Sequence, residues 1–374
     1  MKILILASSN NIENGYGNIT HEYCSYLQKK GVSFKLLLPV TEPRYSYTTY
    51  PTEYVLPPYI FQMKSKKLFK YFLFNYKTDA DIIHSLFEFP YGLIGAKIAK
   101  KYKKPFIVGT QGTYAVKPLF YFPDKHFVRW MYNAAKFVAV PSKFTEESIK
   151  KYTAITSPVK LIHNGVNFKR FDVIADVKKI QEKYGNKKIL LTVGGLKPRK
   201  GQDVVLKALA QLKKKRNDFY YLIVGPDDNR DKYVQQLKQI ISENNLSDCV
   251  KFTGAKTGQE LIEHFQAAYI YVHTPRLINW NFEGFGIVYL EASASKRPIV
   301  AGDSGGIRDA VVDGKTGIVV PEDDPEATAL ALETLLNNPE MAEKMGRAGY
   351  EYARDHDWAQ IGEQYLDLYK QALT

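Results

Sequence analysis

The chain has 374 residues, 45% of them hydrophobic, with 52 Lys and Arg against 39 Asp and Glu and two cysteines. These values exclude a disordered chain and a disulfide-stapled scaffold. The length exceeds the roughly 250 to 300 residues that one core fills, so two domains are expected.

The formal charge of +13 is unevenly placed: residues 1–179 hold 27 basic and 12 acidic residues, and the remainder 25 and 27. An anionic partner is therefore expected to meet the N-terminal half.

In chain order, residues 2–7 read as a first strand and not a signal peptide, because the apolar run is short and no small-residue cleavage site follows. No segment approaches the roughly 20 apolar residues of a membrane span. Helix is expected over 19–30, strand over 34–39 and 81–85, helix over 94–102 and strand over 105–110. The rhythm restarts with strand over 188–193, helix over 203–215, strand over 220–224, helix over 233–244 and strand over 250–253. Helix over 257–267, strand over 269–273, helix over 287–295 and strand over 298–301 follow. Continuous apolar strands such as KILIL, alternating with helices, specify parallel sheets covered on both faces. The expected fold is α/β, two doubly wound Rossmann-like domains facing one another across a cleft. The proposed division is 1–168 together with a terminal helix over about 357–374, and 169–356. Cys24 and Cys249 lie far apart and share no metal spacing, which fits buried, reduced thiols in a cytoplasmic protein.

Between Tyr45 and Tyr76 lie seven tyrosines. Within this stretch Lys64, Lys66, Lys67, Lys70 and Lys77 interleave with Leu68, Phe69, Phe72, Leu73 and Phe74. A basic amphipathic helix with aromatics suits an anionic membrane surface, while a solvated helix with an ordinary core side fits the pattern equally.

Ligands of open α/β sheets bind beyond the carboxyl ends of the strands, so the loops after strands carry the candidate sites. In NGYGN, Gly15 and Gly17 leave backbone amides open to an anion at a helix start, although a plain tight turn explains them as well. In VGGLKPRKG, Gly194 and Gly195 loosen the backbone, and Lys197, Arg199 and Lys200 gather at a helix start. Cations there are unfavourable unless an anion is present, so a diphosphate is the natural partner, with a solvated basic loop as the plainer alternative. In NFEGFGIVYLEASASKRPIV, Glu283 and Glu291 stand eight positions apart, one at a helix entrance and the other about two turns in. Carboxylates accept hydrogen bonds from vicinal hydroxyls, so sugars on either side of a diphosphate fit, with the Phe285, Gly286 and Ile287 amides facing phosphate and sugar. A capping and a solvated glutamate are the plainer alternative. Asp227 and Asp228 are expected to cap the next helix. His84, after the strand DIIH, is either a cleft residue or a satisfied core-edge histidine.

These motifs carry a resemblance. The Glu283 to Glu291 spacing, LTVGGLKPRKG at 191–201, IHNGVNFKRF at 162–171, VPSKFTEESI at 140–149, GGIRDAVVDGKTGIVV at 305–320 and the ending HDWAQIGEQYLDLY together resemble the retaining glycosyltransferases of family 4, with the GT-B fold. The resemblance runs through nearly the whole chain and is loosest between about Thr41 and Asp79. It implies a UDP- or GDP-sugar donor held mainly by the C-terminal domain, and a glycan, lipid-linked or small-molecule acceptor held by the N-terminal one. It further implies that Glu291 binds the donor ribose, Glu283 the transferred sugar, and Lys200 with Arg199 the diphosphate. Gly15 and Gly17 would approach the phosphate, and residues near Gly225 and Thr253 would line the base. Two positions depart from the pattern: Gly195 stands where many members have Arg, and Gln111 where many have His. Gln111 can donate to a hydroxyl or carbonyl but cannot act as a general base.

The expected chemistry is hexosyl transfer with retention, with cations in place of a metal, in surface polysaccharide or glycolipid synthesis. The protein would be cytoplasmic or peripheral at the inner membrane face. A non-catalytic sugar-nucleotide or polyanion binder and a sugar-nucleotide epimerase are the competing readings. Nucleic acid is not expected as a partner, because no recognition motif accompanies the lysines.

Overall fold

A computed structural model describes residues 1–60 and 68–374. The chain divides into two compact units, Met1–Gly165 with Trp358–Thr374, and Val166–Asp357.

The first unit is built on a parallel sheet of β1 (Lys2–Leu6), β2 (Ser33–Pro39), β3 (Thr52–Leu56), β4 (Ile82–Ser85), β5 (Phe106–Gly109), β6 (Phe137–Val140) and β7 (Val159–Leu161), in the order β3-β2-β1-β4-β5-β6-β7. Ile5 sits opposite Leu36 on one side and His84 on the other. Ile3, Leu4, Ile5 and Leu6 are all buried, as a strand covered on both faces requires. The helix Trp358–Leu373 belongs to this unit. Its Tyr365 and Tyr369 pack on Tyr23 and His84, Gly362 lies so close to the Tyr26 ring that a Cβ would enter it, and Lys30 pairs with Glu363 at 2.5 Å.

The second unit carries β8 (Lys188–Val193), β9 (Phe219–Val224), β10 (Val250–Gly254), β11 (Ile270–His273), β12 (Ile299–Gly302) and β13 (Gly317–Val320), ordered β10-β9-β8-β11-β12-β13 and again parallel. Its two faces bury different residues of the same strands. Leu190, Tyr221 and Ile223 pack with Val205, Leu209 and Leu237. Leu191, Leu222 and Val224 pack on the other side with Phe265, Tyr289 and Leu290. The period of two is why these strands read as unbroken apolar runs.

In each sheet the strand order reverses direction once, between β1 and β4 and between β8 and β11. Loops leaving the carboxyl ends there separate to opposite sides and open a crevice. Among the described residues no helix is long and apolar enough to cross a membrane.

Strands β3, β6, β7 and β13 were not anticipated from the sequence; each has only three to five residues. The first helix spans Gly15–Lys29, starting four residues earlier than its apolar spacing implies. Of the basic aromatic stretch 64–77, residues 64–67 lie outside the described residues. The helix Leu68–Leu73 follows, with Lys70 exposed and Tyr71 buried, its hydroxyl donating to the Pro58 carbonyl at 2.6 Å and its ring stacked on Tyr91.

Candidate active site

The loop after β8 ends in a single 3₁₀ turn, Pro198–Lys200, and the helix Gln202–Leu212 starts directly behind it. This turn places two cations on one carboxylate. Lys200 Nζ and Arg199 Nη1, the latter at 3.3 Å, both reach Glu283 Oε2. Lys200 and Glu283 are 13% and 15% exposed, so the attraction acts largely out of water. Burial alone would raise the Glu283 carboxyl, but Lys200 and Arg199 outweigh it and hold the pKa at about 2. Burial lowers the Lys200 ammonium despite Glu283. His273, at the end of β11, is fully buried, and burial followed by the nearby Lys200 lowers it to about 3, so it stays neutral behind the cluster.

The helix Ile287–Ala294 is capped by Gly286, whose φ is 88° and where a Cβ would stand 2.6 Å from the Tyr289 ring, so only glycine fits. Phe285 is buried beside this start and Glu291 is 8% exposed. Residues 283–286 are not helical, so Glu291 stands little more than one turn into the helix and not two, as the eight-residue spacing implies.

At the same carboxyl edge, the Gly194 N–H donates to the Val224 carbonyl at 2.9 Å and the Gly225 N–H to the Gly254 carbonyl at 3.1 Å. A Cβ at Gly225 would collide with the Gly194 carbonyl, while around Gly195 the space is open. Thr253 Oγ1 donates to the Ile223 carbonyl at 3.4 Å. Gly195, Gly225, Thr253 and Glu283 thus belong to one sheet edge of the second unit.

Arg276 was not singled out from the sequence and is the best-connected side chain here. Its Nε donates to the Pro198 carbonyl at 2.9 Å, its Nη2 to buried Asp203 and its Nη1 to Asp323 at 2.6 Å; its backbone N–H donates to the Arg199 carbonyl at 2.9 Å. The Tyr233 hydroxyl donates to the same Asp203 at 2.6 Å. The loop after β11 therefore clamps the turn that carries Arg199 and Lys200. Asp231, and not Asp227 or Asp228, caps the helix Lys232–Glu243, accepting from the Tyr233 N–H at 2.8 Å. Asp228 pairs with Arg230 at 2.7 Å.

In the first unit, Asn14 caps the helix Gly15–Lys29 and accepts from the Gly17 N–H at 2.7 Å. That donor is engaged, and the role left to Gly17 is steric, since a Cβ would run into the Asn11 backbone. Gly15 is exposed in open space. Gln111, after β5, is fixed at both ends: its N–H donates to Glu88 Oε2 at 3.0 Å and its Oε1 accepts from Asn164 at 2.8 Å. Glu88 is buried, and burial raises its pKa to about 8, against the hydrogen bonds it accepts from backbone N–H groups. It was overlooked in the sequence, although a lone carboxylate in the apolar run SLFEFP just after a strand is a signal of this kind. His84 is a core residue: fully buried, its Nδ1 2.6 Å from the Tyr369 hydroxyl, and lowered to about 3 by burial.

Two parallel-sheet Rossmann-like units, with a cation loop and a glutamate-bearing helix start at the switch point of the second, define an α/β sugar-nucleotide enzyme of GT-B type. The family description "Glycosyl transferases group 1" matches residues 173–352 and "Glycosyltransferase Family 4" residues 14–170. The chain belongs to these family 4 glycosyltransferases. It is 28% identical over 358 residues to a GDP-mannose-dependent alpha-(1-6)-phosphatidylinositol monomannoside mannosyltransferase of Mycolicibacterium smegmatis, spanning 93% of this chain and 90% of that one. It is 29% identical over 248 residues to a D-inositol 3-phosphate glycosyltransferase of Streptomyces avermitilis, spanning 64% and 52%. The fold matches Anabaena HepE crystallised with UDP at a TM-score of 0.82 and 19% identity, over 99% of this chain and 100% of that one.

Proposed function

We propose that this glycosyltransferase moves a hexose from a UDP- or GDP-linked donor to a hydroxyl of a glycan, lipid-linked or small-molecule acceptor, with retention and without a metal. The observation that carries the reading is the convergence of Lys200 and Arg199 on Glu283, with Glu291 one helical turn beyond. Two cations and a row of helix-start amides suit a diphosphate, and two carboxylates suit sugar hydroxyls. The mycolicibacterial relative is named for GDP-mannose and phosphatidylinositol monomannoside, which favours GDP and a lipid-linked acceptor.

In the transfer, the bond from the sugar C1 to the diphosphate oxygen breaks and a bond from C1 to the acceptor oxygen forms on the same face. The acceptor proton passes to the leaving phosphate oxygen, and Lys200 and Arg199 stabilise the charge that develops there. Glu283 orients the sugar through its hydroxyls, and Glu291 the ribose. No residue is assigned as a covalent nucleophile. In the first unit the loops bearing Gly15, Glu88 and Gln111 flank the β1/β4 switch point and form the acceptor side. Gln111 and Asn164 present fixed amides to the acceptor there. The lipid-linked reading places the protein at a membrane surface in polysaccharide or glycolipid synthesis.

Calorimetric titration with UDP, GDP and ADP, followed by nucleotide release and product anomer analysis with the matching sugar donors, tests this reading. A retained anomer that forms in the presence of a chelator is expected. Release of a rearranged sugar nucleotide without acceptor would make the chain an epimerase, and binding with no turnover would make it a binder.

A further inference from the structure

The helix Asp124–Ala134 and the turn before it present an outer face made of rings and cations. Phe122 is 71% exposed, Phe120 and Tyr121 42% each, and Trp130 39%. The Phe122 ring meets the His126 ring edge-on at 5.8 Å, and His126 and Trp130 are one turn apart, so the three run as a stripe. Lys125 and Arg129, also one turn apart and exposed, lie alongside. The acid of this helix, Asp124, is buried at its start. The inner face is ordinary core: Val128, Met131 and Tyr132 are fully buried.

Four large exposed aromatics within eleven residues form the kind of apolar surface that a partner covers. The cations decide which partner. A second copy docking by two-fold symmetry would gather Lys125 and Arg129 of both copies in one interface, with no exposed acid on this helix to answer them. An anionic lipid surface accepts the rings at headgroup depth and attracts the cations at the same time.

We propose that this face, Phe120–Phe122 with Lys125, Arg129 and Trp130, is the surface by which the first unit docks on an anionic lipid bilayer. It extends the membrane part of the reading above and does not depend on the transfer reaction. Its Lys125 and Arg129 belong to the basic excess of the N-terminal half and are exposed beside the rings, whereas in the helix Leu68–Leu73 Tyr71 is turned inward.

The test is sedimentation of the full chain with vesicles of phosphatidylcholine and phosphatidylglycerol in equal parts, against phosphatidylcholine alone. Wild type is expected to partition to the anionic vesicles, less as salt is raised. Lys125→Glu with Arg129→Glu is expected to lower partitioning more than about tenfold, and Phe122→Ser with Trp130→Ser by about tenfold. Both variants should keep the wild-type unfolding temperature and nucleotide affinity, which separates this proposal from the transfer reading. Equal partitioning to neutral vesicles, undiminished binding by either variant, or a wild-type dimer lost on changing Trp130 would each overturn it.

Discussion

The backbone N–H of Gln111 donates to Glu88 Oε2 at 3.0 Å, tying the loop after β5 to a carboxyl buried behind β4. Burial holds Glu88 at about pH 8, above the ordinary carboxyl value of 4.5. The folded state therefore keeps this proton after the unfolded chain has lost it. The share of stability that Glu88 contributes should be fully present below about pH 4.5, fall as pH rises, and level off above about pH 8. Glu88→Gln keeps an oxygen for the Gln111 N–H and removes the titration. It should flatten this slope and gain roughly 2 to 5 kcal/mol over wild type at the alkaline end. Urea unfolding at the two ends of the window measures the difference.

Glu283 behaves in the opposite sense. Its carboxyl sits at about 2 against an ordinary 4.5, so its share of stability is present above about pH 4.5 and is lost as pH falls toward 2. The proposed roles of the pair separate by substitution. Lys200→Ala should weaken nucleotide-diphosphate binding about tenfold to hundredfold, since a charge-assisted contact is lost. Glu283→Gln should leave that binding equal or tighter, because Lys200 is released to the phosphate, while transfer falls about 100-fold or more. Calorimetry and initial rates on the two variants distinguish the roles; matching losses of nucleotide affinity would contradict them.

What could be read along the chain and what could not follow from sequence distance. Lys197, Arg199 and Lys200 crowd one short loop, and Glu283 with Glu291 flank one helix start, so local spacing exposes them. The Arg276 contact with Asp203 spans 73 residues and the Gln111 contact with Glu88 spans 23, and no periodicity marks either. Arg276 stands out only when the strands of the second sheet bring the loops after β8 and β11 together, whereas Glu88 carries a local signal as a lone carboxylate in an apolar run just after a strand. The sheet interiors were legible because KILIL and KILLTV are apolar on both faces. Edge strand β3 and the three-residue β7 are partly exposed, so they lack that signature. In NGYGN the Asn14 cap went unread, because the two glycines, poor helix formers, concealed that Gly15 already belongs to the helix.

Arg276 holds the cation turn through side-chain bonds to Pro198, Asp203 and Asp323. Removing it leaves Asp203, 3% exposed, with a charge answered only by Tyr233 among these contacts. Arg276→Ala should cost about 3 kcal/mol. The double variant with Asp203→Asn should recover a large part of that, because no buried charge remains. The same turn carries Lys200, so the donor KM should rise in Arg276→Ala more than kcat falls. A double-mutant cycle by thermal unfolding, with the two kinetic constants measured separately, checks both statements.

The two glycines of the first helix start make a final contrast. Nothing lies within 4 Å of where a Cβ at Gly15 would stand, whereas at Gly17 it would strike the Asn11 backbone. Gly17→Ala should therefore cost at least about 1 to 3 kcal/mol, because main chain must move to admit it. Gly15→Ala should be neutral or stabilising by up to about 1 kcal/mol, since it only restricts the unfolded chain and favours helix. If Gly15 serves close approach of a ligand phosphate, its added methyl group should reduce transfer without lowering the unfolding temperature. If instead Gly15→Ala has full activity, the loop after β1 is a helix start and the anion is held elsewhere. Thermal unfolding and initial rates on this one pair of variants separate packing from ligand approach.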